Sequence, residues 1–235
     1  MSWWQIMKKA VILQSNYIPW KGYFHLIQKA DYFVFLDTAQ YTKRDWRNRN
    51  KIKTPSGLKW LSVPNNGTQS KKINEVIIDN STKWYEKHFQ TLMNNYKNCK
   101  YLDDYYDFLQ TVYIKTKWYN LSEMNQFLIK EISKFLGIET IFCNSSDFDL
   151  KDGKNEKIIS ILKQLQANHY ITGTSAKSYI DISLFEAEDI TIEYMNYPDY
   201  PTYKQPWGRF EHNVSVPDLL FCEGPNAANF IWNLK

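Results

Sequence analysis

The stretch Ala10-Val11-Ile12-Leu13-Gln14-Ser15-Asn16-Tyr17-Ile18-Pro19-Trp20-Lys21-Gly22-Tyr23-Phe24, followed by Tyr32-Phe33-Val34-Phe35-Leu36, decides the fold. An apolar run, a polar turn bearing Pro and Gly, a helix-like segment ending near Ala30 and a second apolar run make a strand–helix–strand unit. In such a unit ligands sit outside the carboxyl ends of the strands, so the turn at 14–24 is the first candidate site.

Outward from that unit, three helical patterns fill the middle of the chain. Trp84, His88, Leu92 and Tyr96 recur every four residues, with Ser81 placed to cap the start. Residues 102–117 read as a second helix. Phe127, Leu128, Ile132 and Phe135 stripe a third, which Gly137 can end in a left-handed cap. Strand and helix then alternate: strands at 138–142, 169–172 and 190–195, a helix at 154–167 and a weaker helical stretch at 175–186. This alternation predicts an α/β fold, a mainly parallel Rossmann-like sheet with helices on both faces. The whole chain, 1–235, reads as a single α/β domain, with 80–137 as a helical insertion or subdomain. Residues 59–64 and 73–78, around the polar loop 65–72, are expected to pair as an antiparallel excursion. The tail from Tyr197 is rich in Pro, Tyr and Asn, and is expected to wrap the surface or a cleft.

Composition narrows the function classes. A net charge of +4 with both signs mixed argues against a dedicated nucleic-acid protein but permits anionic small ligands. Three cysteines, far apart and without CxxC spacing, argue against a disulfide framework or zinc knuckle. The four histidines show no HxH or HxxxH spacing, so no metal site is expected. There is neither a G-x-S-x-G elbow nor a Walker loop. No apolar run is long enough for a bilayer, and the start at 1–9 lacks a secretory core and cleavage site, with Met7 a possible natural start. A cytoplasmic protein without membrane insertion is the expectation.

Three segments carry candidate chemistry. The basic block Lys43-Arg44-Asp45-Trp46-Arg47-Asn48-Arg49-Asn50-Lys51-Ile52-Lys53 holds six cations in eleven residues. Its Arg forks suit a diphosphate and its Trp a base or sugar ring, although a solvated loop has the same composition. Asp37 ends an apolar strand, where a carboxylate holds a ribose hydroxyl, a metal or an amine, or simply caps a helix or turn; Gln40 adds a neutral partner. Gly173-Thr174-Ser175-Ala176-Lys177 follows a strand and suits a phosphate or carboxylate, or is an ordinary helix start. His88 falls on an apolar stripe and reads first as a core or cleft-edge residue, whereas His212, in the irregular tail, has the setting of a general base.

The run 14–24, Asp37-x-x-Gln40-x-x-Lys43, Trp46-Arg47-Asn48-Arg49-Asn50, Trp60-Leu61-x-Val63-Pro64, Trp84-x-x-x-His88, Tyr170-x-x-Gly173-x-x-Ala176-Lys177-x-Tyr179, Tyr203-x-Gln205 and Asp218-Leu219-Leu220 resembles the WbqC-like family over nearly the whole chain. Ser15 departs from the Pro expected in that family's turn. The resemblance implies an O-antigen or surface-polysaccharide setting and attachment of an amino acid such as glycine to the amine of an amino sugar. A fainter similarity is to nucleotidylyltransferases, whose H-x-G-H pattern is matched only in frame by Trp20-Lys21-Gly22-Tyr23, with both histidines absent.

Together these readings give an expected N-acyl (aminoacyl) transferase acting on a nucleotide-linked amino sugar. Lys43, Arg47 and Arg49 would hold the diphosphate, and Tyr17, Trp20 and Trp46 would stack a ring. Asp37 or His88 would take the amine proton. Thr174, Ser175 and Lys177 after Gly173 would meet the donor's phosphate or the oxyanion. Gln14, Asn16, Tyr23, Gln40, Asn48, Tyr203 and Gln205 complete the expected substrate-binding set. The implied cofactor is ATP or an aminoacyl donor, with aminoacyl-tRNA one form of that donor, and the aromatic surplus leaves room for a homodimer. The alternatives are a non-catalytic sugar-nucleotide binder and a nucleotidylyltransferase-like enzyme.

Overall fold

Five parallel strands form the sheet around which a computed structural model builds the protein. It describes residues 7–232, so the reading of the N-terminal segment up to residue 6 lies outside the described residues. In space the strands run β5 (Ile141–Asn144), β2 (Tyr32–Phe35), β1 (Lys9–Leu13), β6 (His169–Thr172), β7 (Thr191–Tyr194). Every adjacent pair is parallel. The chain steps outward from β1 to β2 and β5, then returns to the other side of β1 for β6 and β7. The direction of winding therefore reverses between β1 and β6, the kind of point at which sheets of this class bind ligands beyond the carboxyl ends of their strands.

Side-chain alternation sends β1 and β2 into two separate cores. Val11, Phe33 and Phe35 face a large cluster with α1 (Lys21–Gln28), α2 (Trp84–Tyr96) and α4 (Leu121–Phe135), through Phe24, Ile27, Leu92, Tyr96, Leu128 and Ile129. Ala10, Ile12 and Val34 face a smaller one with α5 (Lys154–Leu165) and α6 (Ile182–Glu186), through Ile158, Ile161, Leu162 and Phe185. The α/β, Rossmann-like architecture expected from the alternation is the one observed. Residues 84–135 share the large core with β1 and β2.

Several local expectations are corrected. The antiparallel excursion is β3 (Arg49–Thr54) paired with β4 (Gly57–Ser62), not 59–64 with 73–78. Of the expected pairing only an isolated bridge, Asn65 to Ile78, exists, and Ile73–Glu75 is a 3-10 turn. The basic block is half loop and half strand: Asn50 and Ile52 point inward while Arg49 and Lys51 stay partly exposed, so charge masks the period of two. Gly57 closes the hairpin at φ +101°, which an L side chain resists. Ser81 does not cap α2; Lys83 precedes it without a side-chain cap, and the Ser81 N–H donates to Asp79 Oδ1 at 2.9 Å. The expected helix at 102–117 is a 3-10 turn, then α3 (Tyr106–Gln110), then a π-helical turn to Lys115. Gly137 does take the left-handed cap, at φ +69°, and the strand expected at 138–142 begins only at Ile141. The stretch 175–186 splits into a 3-10 turn, Thr174–Ser178, and α6. Among the described residues no helix is long and apolar enough to cross a membrane.

Candidate functional site

The turn after β1 divides its side chains between core and surface. Tyr17 is fully buried, so it stacks no ligand; its hydroxyl lies 2.8 Å from His88 Nδ1 and 2.7 Å from the Tyr113 hydroxyl. Ile18 takes a left-handed backbone at φ +36°, strained for a β-branched residue. Asn50 Nδ2 holds that kink by donating to the carbonyls of Tyr17 at 3.2 Å and Ile18 at 2.9 Å. Tyr23 is also buried, its hydroxyl donating to the Gln14 carbonyl at 2.9 Å. What this turn leaves open are Gln14, Asn16 and Trp20.

Those three residues line two hollows. The first, about 180 Å³, is walled by Asn16, Pro19, Trp20, Trp46, Asn50 and Asn213. The Trp20 indole is fixed by packing on Tyr197, ring centres 5.2 Å apart, and lies over Gly22, where a Cβ would stand 2.3 Å from Trp20 Cζ2. The absence of a side chain at Gly22 is thus what lets the indole fold back and form the wall. The second hollow, a crevice of about 430 Å³, is lined by Gln14, Leu36, Ala39, Gln40, Lys154, Lys157, Ile158 and Tyr179, with Gly153 at its edge. It lies beyond the carboxyl ends of β1 and β2 and at the start of α5, on the face of the smaller core. Lys154 and Lys157 make it cationic, and the first turn of α5 adds backbone N–H groups.

Arg47 connects the two. Its Nη1 donates to Asn16 Oδ1, which borders the first hollow, and its Nη2 donates to Gln14 Oε1 at 3.3 Å, which borders the second. Asp45 stands 3.7 Å from the same guanidinium, and the Arg47 Nε is buried without a partner. The Arg47 backbone carbonyl accepts from Asn125 Nδ2 at 2.8 Å, which anchors the loop to α4. Beside the first hollow Trp46 is 44% exposed and Trp60 is 40% exposed, ring centres 5.5 Å apart, with the Arg49 guanidinium 4.3 Å over the Trp60 ring. Lys43 is exposed on the same loop, and Asn48 is structural, its Nδ2 donating to the Val63 carbonyl at 2.9 Å.

The two expected proton acceptors do not face open space. Asp37 is 3% exposed; its Oδ1 accepts the Ser15 N–H at 2.8 Å, and its Oδ2 accepts from the Ser122 hydroxyl and from Gln126 Nε2 at 3.2 Å. Its carboxylate ties β2 and the turn after β1 to α4. Gln40 does line the crevice, with its Nε2 donating to the Gln69 carbonyl. His88 is buried in the large core between Tyr17, Trp84 and Tyr113. Burial lowers it to about 4, partly offset by a backbone hydrogen bond with Ser62 and reinforced by the nearby Lys59 charge. The folded chain therefore refuses the proton that the unfolded chain accepts near 6.5. Stability is fully present above that value and is lost as pH falls toward 4, on the order of 3 kcal/mol at about 1.4 kcal/mol per pH unit. Chemical denaturation across this range should show a flatter pH dependence in His88→Gln than in the parent.

The second turn also sits apart. Thr174, Ser175 and Lys177 are exposed on the 3-10 turn after Gly173, and Lys177 Nζ lies 5.0 Å over the Tyr194 ring. None of them borders either hollow; Tyr179, just beyond, does. Trp20, Arg47 and Lys177 accordingly do not share one cavity: Trp20 borders the first hollow, Arg47 reaches it only through its bond to Asn16, and Lys177 borders neither hollow. Tyr203 and Gln205 belong to a buried node on α7 (Pro217–Glu223). Asp218 Oδ1 accepts from the Tyr203 hydroxyl at 2.6 Å and Gln205 Nε2 at 2.8 Å, and its Oδ2 accepts from the Tyr96 hydroxyl at 2.9 Å. Burial pushes the Asp218 carboxyl upward, which these three donors oppose. Lys53 Nζ joins the node at Gln205 Oε1, 2.9 Å away. Nearby, Lys21 is 3% exposed, its Nζ unpartnered and 4.8 Å from the Tyr200 ring; burial lowers it to about 8, partly offset by Asp218. His212 lies on the irregular strap that runs from β7 to α7, as Tyr203 and Gln205 do, and is lowered by burial and by Lys21.

Lys154 and Lys157 were missed as site residues because their helix reads as core; their signal was a Gly followed by two lysines one turn apart in the first turn of a helix after a strand. Asn50 and Asn213 had no such signal. Among the described residues no group of three or more His, Cys, Asp or Glu side chains could hold a metal ion.

Comparison with known proteins supports the same frame. The uncharacterized protein Rv1507c of Mycobacterium tuberculosis (strain ATCC 25618 / H37Rv) is 44% identical over 227 residues, covering 96% of this chain and 98% of that protein. No solved structure matches the chain. The WbqC-like protein family matches residues 14–230, which include β2 to α7 and every residue that borders the two hollows. The chain belongs to the WbqC-like protein family.

Proposed function

We propose that the protein transfers an aminoacyl group to the amine of a nucleotide-linked amino sugar for O-antigen or related surface-polysaccharide synthesis. The observation that carries this reading is the Arg47 fork, bonded at once to Asn16 and Gln14 and so joining an aromatic, amide-lined hollow to a cationic crevice. A sugar nucleotide needs both surfaces. Trp20 and Trp46 offer faces for a base or sugar ring, and Asn16, Asn50 and Asn213 offer amides for its polar edge. Lys154 and Lys157 offer charge to a diphosphate, helped by the start of α5. Gln14, Gln40 and Tyr179 supply neutral donors and acceptors for hydroxyls.

In the proposed step the sugar amine nitrogen attacks the acyl carbon of an activated donor, the bond from that carbon to the donor oxygen breaks, and the amine proton leaves to solvent. With Asp37 and His88 both buried, the site's contribution is alignment rather than proton abstraction. Purified protein mixed with a nucleotide-linked amino sugar, glycine and either ATP or glycyl-tRNA should add one glycyl mass to the sugar. No mass gain in any combination overturns the transferase reading.

The buried state of both proton acceptors also favours a second reading, a non-catalytic sugar-nucleotide binder of the same pathway. Stabilisation by the sugar nucleotide without product would select it.

A further inference from the structure

A third hollow, a groove of about 650 Å³, runs between the residues that follow α2, the end of α7 and the strap that carries Lys204, Gln205, Pro206 and Trp207. Two of its lining residues are cysteines. Cys99 and Cys222 are 123 positions apart in sequence, yet their Sγ atoms stand 3.2 Å from one another, and both side chains are half-buried free thiols. The wide sequence separation is why spacing alone gives no hint of a pair. A disulfide needs sulfurs at about 2.05 Å, so closure requires an approach of only about 1 Å, less than a rotamer change supplies. The surrounding backbone is already docked: the Tyr101 N–H donates to the Phe221 carbonyl at 3.0 Å.

We propose that Cys99 and Cys222 form a reversible intramolecular disulfide by exchange with low-molecular-weight disulfides that enter this groove. One protein thiolate attacks the small disulfide, forming a mixed disulfide and expelling one small thiolate. The second protein thiol then attacks the mixed disulfide at the protein sulfur and expels the other. Two protein thiols are oxidised, one small disulfide is reduced to two thiols, and the two protons balance. The bond would tie the residue just past α2 to α7, one turn beyond Asp218. It would thus clamp the Tyr96–Asp218 contact that joins the two helices and holds Tyr203 and Gln205 of the strap. Closure of so long a loop restricts the unfolded chain strongly.

Full-length protein titrated with oxidised against reduced glutathione, then examined by intact mass, peptide mapping and thermal melting, tests this. The expected result is loss of two hydrogens, a Cys99–Cys222 cross-linked peptide and a melting point higher by several degrees, all reversed by dithiothreitol. Cys222→Ser should instead retain a glutathione adduct on Cys99. Two thiols that stay alkylatable, glutathione adducts that persist on both without closing, or a bond between two chains would overturn the proposal. The peptide map of the unsubstituted protein decides it even where a serine variant fails to fold.

Discussion

Arg47→Ala is expected to weaken sugar-nucleotide binding about a hundredfold, while lowering the melting point only slightly. Each hydrogen bond from a charged donor contributes about 1.5–3 kcal/mol, and Arg47 makes two that fix Asn16 and Gln14 in place. Without the fork both amides are free to turn away from the hollows they border. The fold has less at stake, because the Asn125 contact is to the backbone carbonyl and survives the substitution. Arg47→Lys should rescue little, since an ammonium on a flexible stem cannot meet two amide oxygens in one plane. Calorimetric titration with a nucleotide-linked amino sugar, beside thermal melting of the same preparations, separates the two effects.

The largest loss of stability is expected for Asp218→Ala. The carboxylate is 0% exposed and takes hydrogen bonds from Tyr96, Tyr203 and Gln205. Its removal strands two hydroxyls and an amide in a dry site and leaves the Lys53 ammonium without its nearby negative charge. Cutting one partner out of such a buried node costs about 3–5 kcal/mol. In a chain of 235 residues that corresponds to a fall in melting point of about 10 °C. Asp218→Asn keeps the shape and one acceptor oxygen, so it should lose less. Because α7 anchors the strap through Tyr203 and Gln205, limited proteolysis should cut Asp218→Ala within 197–213 before it cuts elsewhere. Equal resistance in parent and variant would show that the strap is held by other contacts.

The sheet was legible because its strands are short, apolar and flanked by turn residues. Ala10 to Leu13, Tyr32 to Leu36 and His169 to Thr172 could be placed without knowing their partners. β3 was not, since Arg49 and Lys51 sit where a strand is usually read from apolar residues, and the inward Asn50 serves the Ile18 kink rather than the core. The helix over 102–117 was misread because a stripe of aromatics does not distinguish α from 3-10 or π winding. For the candidate site, local sequence indicated residues that border hollows but not the long-range partners that fix the others. The turn after β1 pointed to Gln14, Asn16 and Trp20, all of which border hollows. Asp37 looked catalytic from its position at a strand end. Its occupation by Ser122 and Gln126 depends on a helix 85 and 89 positions away, which no local pattern encodes. Tyr203 and Gln205, taken from the family resemblance, are partners of Asp218 and border neither of the two hollows that Arg47 joins.

One measurement bears most directly on the idea that a single ligand spans both hollows. Calorimetric titration of a nucleotide-linked amino sugar into the parent, Trp46→Ala and Lys157→Ala addresses one residue from each hollow. Both substitutions should weaken the same binding event, each by about tenfold, at unchanged stoichiometry and with little change in melting point. Full affinity retained by either variant would mean that one hollow is idle, and the joined site would be wrong.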